Sequence, residues 1–190
     1  MNKLKDTLMV LVSRVDDLEQ SNTQLQKQCQ QLEENCKSME KSILEEVEDR
    51  NRRRKNLIIS GIPEEMEGSA EERKETDRIR IESLFKELNA EGRGVIHDVR
   101  RLGRQQRDKT RLLQVVCQDE KTKRNVLSRA KRLRNSENWK KVFVNPDRTK
   151  VQQQENKILR SELTNRKQRG EDVYIVRGKI MTKTTDSNFH

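Results

Sequence analysis

Through residues 1–49, apolar side chains recur at alternating spacings of four and three. With Leu4 at heptad position d, the d positions are Leu4, Leu11, Leu18, Leu25, Leu32 and Met39, and the a positions are Leu8, Val15, Asn22, Cys29, Cys36 and Ile43. A 3.5-residue repeat of this length, with no Pro or Gly in it, predicts a helix of about 70 Å that buries its stripe against other helices. Asn22 at an a position costs stability but sets register, because a shifted alignment leaves its amide against apolar neighbours. Parallel pairing follows.

The number of strands in that pairing is read from side chains flanking the stripe. Val15 at a with Leu at d suits two helices. Arg14 at g and Glu19 at e, in Arg14-Val15-Asp16-Asp17-Leu18-Glu19, instead resemble the signature of short parallel trimeric coils, in which Arg packs across the apolar layer onto a neighbour's Glu. The expected assembly is a homotrimer held by Leu8, Leu11, Arg14, Val15, Leu18, Glu19, Asn22, Leu25 and Leu32, with a dimer as second choice. Cys29 and Cys36 read as small apolar core residues rather than redox or metal ligands.

Beyond residue 49 the period changes. Leu57-Ile-Ile-Ser-Gly-Ile-Pro63 reads as a buried strand closed by a turn. Ser69 and Glu72 stand at capping-box spacing, and Ile81, Leu84, Phe85 and Leu88 form one helical face that Gly92 ends. Val95 to Leu102 and Arg111 to Cys117 are further strands, and Asp119 caps a helix striped by Val126, Leu127, Ala130 and Leu133. Val142-Phe143-Val144 is a fourth strand. The order β-α-β-β-α-β over residues 56–145 is that of a ferredoxin-like domain, a class that includes the RNA-recognition motif. After Pro146, Thr149 with Gln152 caps a basic helix with a thin stripe of Ile158, Leu159 and Leu163; Gly170 ends it, and a hairpin turns at Arg177-Gly178. The fold class is therefore α+β: a coiled-coil rod (1–49), a basic hinge (50–55), the ferredoxin-like domain (56–145), a basic helix plus hairpin as a short C-terminal domain (146–181), and a frayed tail (182–190).

Charge sharpens this division. Residues 1–49 hold 6 Lys+Arg against 11 Asp+Glu, and residues 50–190 hold 36 against 21, so the acidic rod precedes a head of net charge +15. The head is the expected polyanion contact. With no run of ~18 apolar residues, no membrane partner is expected, and no signal peptide is read at the start, which points to an intracellular protein. Three cysteines (Cys29, Cys36, Cys117) match neither a disulfide framework nor a zinc site and read as reduced thiols. Only His97 and His190 are present, with no phosphate-cradling Gly-rich loop, so no enzymatic activity, cofactor, metal or small-molecule substrate is expected.

Asn56-Leu-Ile-Ile-Ser-Gly-Ile-Pro-Glu64, Val99-Arg-Arg-Leu-Gly103, the Asp119-to-Leu133 helix, Asn145-Pro-Asp-Arg-Thr149 and Arg169-Gly-Glu171 follow one another in an order and spacing that resemble a known family. It is the first-open-reading-frame protein of LINE-type non-LTR retrotransposons, which joins a trimeric coiled coil to an RNA-recognition-motif domain and a small C-terminal domain. The resemblance covers most of the chain. It implies binding of single-stranded RNA and DNA with little sequence preference, coating of an element's transcript as a cytoplasmic ribonucleoprotein with an additional nuclear pool, and nucleic-acid chaperone activity. The region after residue 145 is shorter than the family's C-terminal domain, and the chain begins directly in the coil, without the basic N-terminal region of many members.

An RNA-recognition motif stacks bases on aromatics of its two central strands, whereas here Ile58, Leu112 and Gln114 occupy those positions. Aromatics are 3% of the chain, so phosphate neutralisation is expected to dominate and sequence preference to be weak. The candidate contacts are Arg53, Arg54 and Lys55 at the hinge, Arg100, Arg101 and Arg104 after strand two, Lys109 and Arg111 entering strand three, and Arg148 and Lys150 after strand four. Arg160, Arg166, Lys167 and Arg169 complete the set. Tyr174 and Trp139 are expected in the core rather than against bases. The alternative function is a coiled-coil adaptor whose basic head binds acidic protein partners.

Overall fold

The structure is a computed structural model that describes residues 2–90, 94–106, 109–176 and 178–183. It divides into two compact units, Met1–Glu48 and Asp49–His190.

The first unit is helix. Helix α1, Asn2–Arg53, runs through the acidic heptads and its last turn belongs to the second unit. No described residue covers its stripe: the apolar a and d side chains are exposed from 51% at Val15 to 82% at Leu4. Residues expected in a hinge at 50–55 are largely helical instead, because Arg50, Arg52 and Arg53 form a last turn favoured by the helix dipole.

The second unit is α+β, with strands β1 (Asn56–Ser60), β2 (Ile96–Leu102), β3 (Leu112–Cys117) and β4 (Phe143–Pro146) alternating with α2 (Ala70–Glu87) and α3 (Glu120–Arg129). The strand order β2-β3-β1-β4 is antiparallel throughout. Helix α4 (Lys150–Gln168) and a separate hairpin, β5 (Val173–Val176) with β6 (Lys179–Thr182), follow. One sheet face carries the core. Leu57 and Ile59 of β1, Val99 of β2, and Leu113, Val115 and Cys117 of β3 pack with Ile81, Leu84, Phe85 and Leu88 of α2 and with Val126 and Leu133.

Local chemistry explains where elements begin and end. Ser69 and Glu72 close a reciprocal capping box on α2, Thr149 and Gln152 do so on α4, and the Asp119 side chain accepts from the Thr122 amide. That bond holds the Asp119 carboxyl below its usual range.

Several boundaries differ from the sequence pattern. β1 stops at Ser60 rather than reaching Pro63, because Gly61 adopts φ +87° and passes so near the Lys141 carbonyl that a Cβ would lie 2.1 Å from its oxygen. α2 ends before Gly92, which lies outside the described residues: Asn89 takes φ +50°, and the amides of Asn89 and Ala90 donate to the carbonyls of Lys86 and Phe85 in a Schellman closure. The helix after Asp119 gives way to a 3₁₀ segment at Ala130–Asn135. β4 begins one residue late and extends to Pro146, at an edge of the sheet where a missing N–H is tolerated. Trp139 packs against the core as expected, but Tyr174 is 42% exposed on the hairpin, and Ile158 is exposed while Leu159 and Leu163 are half-buried. Gly170 sits at φ +87° as the residue closing α4. Arg177 and residues 184–190 lie outside the description.

Candidate nucleic-acid interface

Strand alternation sends every second side chain of the sheet away from the core. On β3 these are Leu112, Gln114 and Val116; on β1, Asn56, Ile58 and Ser60; on β2, Arg100 and Leu102; on β4, Phe143 and Asn145. Two rows cross the sheet. One is Arg100, Gln114, Ile58, Asn145; the other is Leu102, Leu112, Ser60, Phe143.

The first row is organised by a buried carboxylate. Asp147, 7% exposed, accepts from Asn56 Nδ2 at 3.2 Å, from Gln114 Nε2 at 2.6 Å and from Arg53 at 2.9 Å, while Arg100 Nε donates to Gln114 Oε1 at 2.5 Å. Arg53 also donates to both Asp49 oxygens at 3.0 Å, and those bonds with its pairing to Asp147 raise its pKa. Three strands and the last turn of α1 are thereby locked together. A buried carboxylate with all of its partners in place specifies one arrangement of its neighbours.

Beside this network a groove of about 570 Å³ opens. Its floor is Ile58, Leu102 and Leu112, and one wall is a stripe of α4: Gln153, Asn156, Lys157 and Arg160, at i, i+3, i+4 and i+7. Arg53 and Arg148 close its end. A second depression of about 420 Å³ continues from Leu102 and Leu112 to Arg104 and Lys109. Arg148, Lys157, Arg160, Arg104 and Lys109 form no ion pair with any other described residue. An apolar floor rimmed by uncommitted cations can take a flat, partly apolar polyanion.

Compared with protein-family models and with curated proteins, the chain matches none. The groove therefore has to be read from its own chemistry.

Four of the expected contact residues come together here: Arg148 and Arg160 in the groove, Arg104 and Lys109 in its extension. Arg53 lines it too, although its guanidinium is committed to carboxylates. Arg100 stands on the same face and is held by Gln114.

The others are committed to partners within the structure or lie outside the groove, and Arg111 is among the committed ones although it also lines the extension. Arg101, expected as a phosphate contact, belongs to the framework instead: its side chain is 6% exposed, paired with Asp77 at 2.5 Å and bonded to the carbonyls of Ile62, Pro63 and Arg111. Arg111 is likewise bound to Glu64 and to the Gly103 carbonyl, and the Glu64 carboxyl is held below its usual range chiefly by that hydrogen bond. Arg54 pairs with Glu120 at 2.5 Å, and Lys55 donates to the Gln118 carbonyl at 2.9 Å. These two, with Lys123 Nζ donating to the carbonyls of Arg53 and Arg54, fasten the end of α1 to the α3 side. Burial lowers the Lys123 pKa. Arg166 pairs with Glu162 at 2.9 Å, and Lys150, Lys167 and Arg169 are exposed outside the groove.

Sequence reasoning missed Lys157, Asp147 and Phe143. Lys157 lies on the polar stripe of α4, and attention to apolar periodicity passed over it. Asp147 announces itself only through three partners distant in sequence. Phe143 could have been found by parity: Val142 is core and Val144 packs against it, so the residue between them must face the other way.

Proposed function

We propose that the protein binds single-stranded nucleic acid in the groove between the open sheet face and α4, with phosphates paired to Arg148, Lys157 and Arg160. The observation that carries this reading is the placement of three cations, none ion-paired to a described residue, beside the apolar floor Ile58, Leu102 and Leu112. Strand order β2-β3-β1-β4 within β-α-β-β-α-β supports an RNA-recognition-motif-like, ferredoxin-like head. The uncovered heptad stripe supports assembly through α1 as a parallel coiled coil, with Arg14 and Glu19 favouring three chains. Such an assembly would coat an extended strand, in keeping with the resemblance to retrotransposon transcript-binding proteins. Side chains on one rigid wall give little sequence choice, because phosphates carry no sequence information.

Titration of labelled single- and double-stranded oligonucleotides by anisotropy at two salt concentrations tests it. Single strands are expected to bind more tightly, with a steep salt dependence. Lys157→Ala with Arg160→Ala should weaken unrelated sequences alike and reduce the log K against log salt slope by about 1.4, at ~0.7 per single-strand phosphate. An unchanged slope in that variant, or no binding by the unaltered protein, rejects the groove as the site.

A further inference from the structure

The apolar row across the open face ends in an aromatic ring that phosphate binding does not use. Phe143 on β4 is 58% exposed, opposite Ser60, while the other described aromatics are placed elsewhere: Phe85 in the core, Trp139 against it and Tyr174 on the hairpin. In a chain with so few aromatics, leaving a phenyl ring on the surface forgoes a large contribution to the core. Ser60 separates it from Leu112, which is 45% exposed, and Leu102 lies beyond on β2. Because the strands are spaced about 4.8 Å apart, Leu112 and Phe143 stand roughly 10 Å apart over the short serine side chain. A shallow apolar notch results.

Its surroundings choose the occupant. The neighbouring row presents the exposed amide of Asn145, and the groove cations Arg148, Lys157 and Arg160 follow along the same face. A ligand filling notch and groove together must carry flat apolar rings on an anionic backbone. Building on the groove reading, we infer that Phe143 stacks an unpaired base, with Leu112 bounding it, so that the ligand is specifically a strand whose bases are free. This stacking site is on the edge strand β4, whereas the sequence pattern places aromatic stacking on β1 and β3 and finds none there. A duplex keeps its base faces internal and cannot enter the notch.

The test compares one labelled single-stranded oligonucleotide with an abasic strand of the same length and charge, using the full chain. Unaltered protein is expected to prefer the base-bearing strand, and Phe143→Ala to weaken that strand about tenfold, within the range measured for stacking on an aromatic, while leaving the abasic strand unchanged. Phe143→Tyr should restore the preference. Phe143→Leu, which keeps apolar bulk without a ring, should lose it and guards against misfolding of the alanine variant. Equal binding of the two strands by unaltered protein, or equal losses on both in the Ala and Leu variants, overturns the inference. In that event Lys157→Ala with Arg160→Ala still weakening both strands leaves the groove reading standing, whereas no effect of that change rejects both.

Discussion

The two units solve opposite problems with the same small supply of apolar residues. Among the described residues, Met1–Glu48 leaves its apolar stripe uncovered, whereas Asp49–His190 folds sixteen buried residues into one cluster. Helix propensity alone stabilises an isolated helix only marginally, and the proposed assembly with other chains would supply what the rod lacks by itself. The head gathers its core within one chain. Its core is closed by α2, α3 and the sheet, and its charged groups are heavily cross-linked at the edges. The lesson concerns arginine: in a head of net charge +15, position on the sheet decides whether a guanidinium is available to a ligand or part of the framework.

That distinction gives the largest expected effect. Arg101 and Asp77 form a buried pair, their side chains 6% and 7% exposed, and Arg101 also satisfies three carbonyls that link the β1 exit to β2 and β3. Arg101→Ala strands the Asp77 charge in the interior and should cost about 3–5 kcal/mol of head stability. Arg160→Ala, on the exposed wall of the groove, should shift the denaturation midpoint little. Urea melts of both variants separate framework from ligand arginine, and equal midpoints would erase the contrast between them.

Breaking the rod should leave the head intact. Leu18→Lys with Leu25→Lys places charges in two adjacent d positions, and sedimentation equilibrium is expected to report a monomer for this variant and a trimer for the unaltered chain. Affinity for a long single strand should then fall roughly hundredfold, as linked heads lose their effective concentration, while the head's melting transition stays in place. A dimer in the unaltered protein would mean that Val15 and the d-position leucines outweigh Arg14 and Glu19. Loss of the head's transition would show that the two units are not independent.

Much of this was legible in the sequence wherever information is local. The caps at Ser69, Asp119 and Thr149, the face Ile81-Leu84-Phe85-Leu88, the closing Gly170 and the long N-terminal helix all rest on spacings of one to seven residues. What was not legible depends on contacts far apart in the chain. Gly61 ends β1 because Lys141 arrives beside it, and Asn89 ends α2 ahead of the glycine expected to do so. Among the cations, Arg100 and Arg101 are neighbours in sequence and alike in type. Strand parity turns one toward Gln114 on the open face and the other toward Asp77, and only the sheet register reveals which.

The smallest effect is kinetic and uses the cysteines as reporters of both units. Cys117 is wholly buried in the head core, and burial pushes its pKa up to about 11 from 9.0, so at pH 8 it is both inaccessible and almost entirely thiol. Cys29 and Cys36 are exposed on an isolated helix but occupy a positions, which an assembled coil would bury. A brief iodoacetamide pulse should therefore label all three slowly in the unaltered protein. In Leu18→Lys with Leu25→Lys, Cys29 and Cys36 should label fast while Cys117 remains protected. Raising the pH sharpens the head's side of the comparison. The folded state holds the Cys117 proton through the window from 9 to 11 while the unfolded chain releases it, so protonation no longer balances and this group's contribution to stability declines as pH rises. The head's melting temperature should fall across that window by more than that of a Cys117→Ala control measured against its own value at pH 8. Fast labelling of Cys29 in the unaltered protein would mean that its layer of the rod is open, and the rod would then differ from the head in exposure alone rather than in what it assembles with.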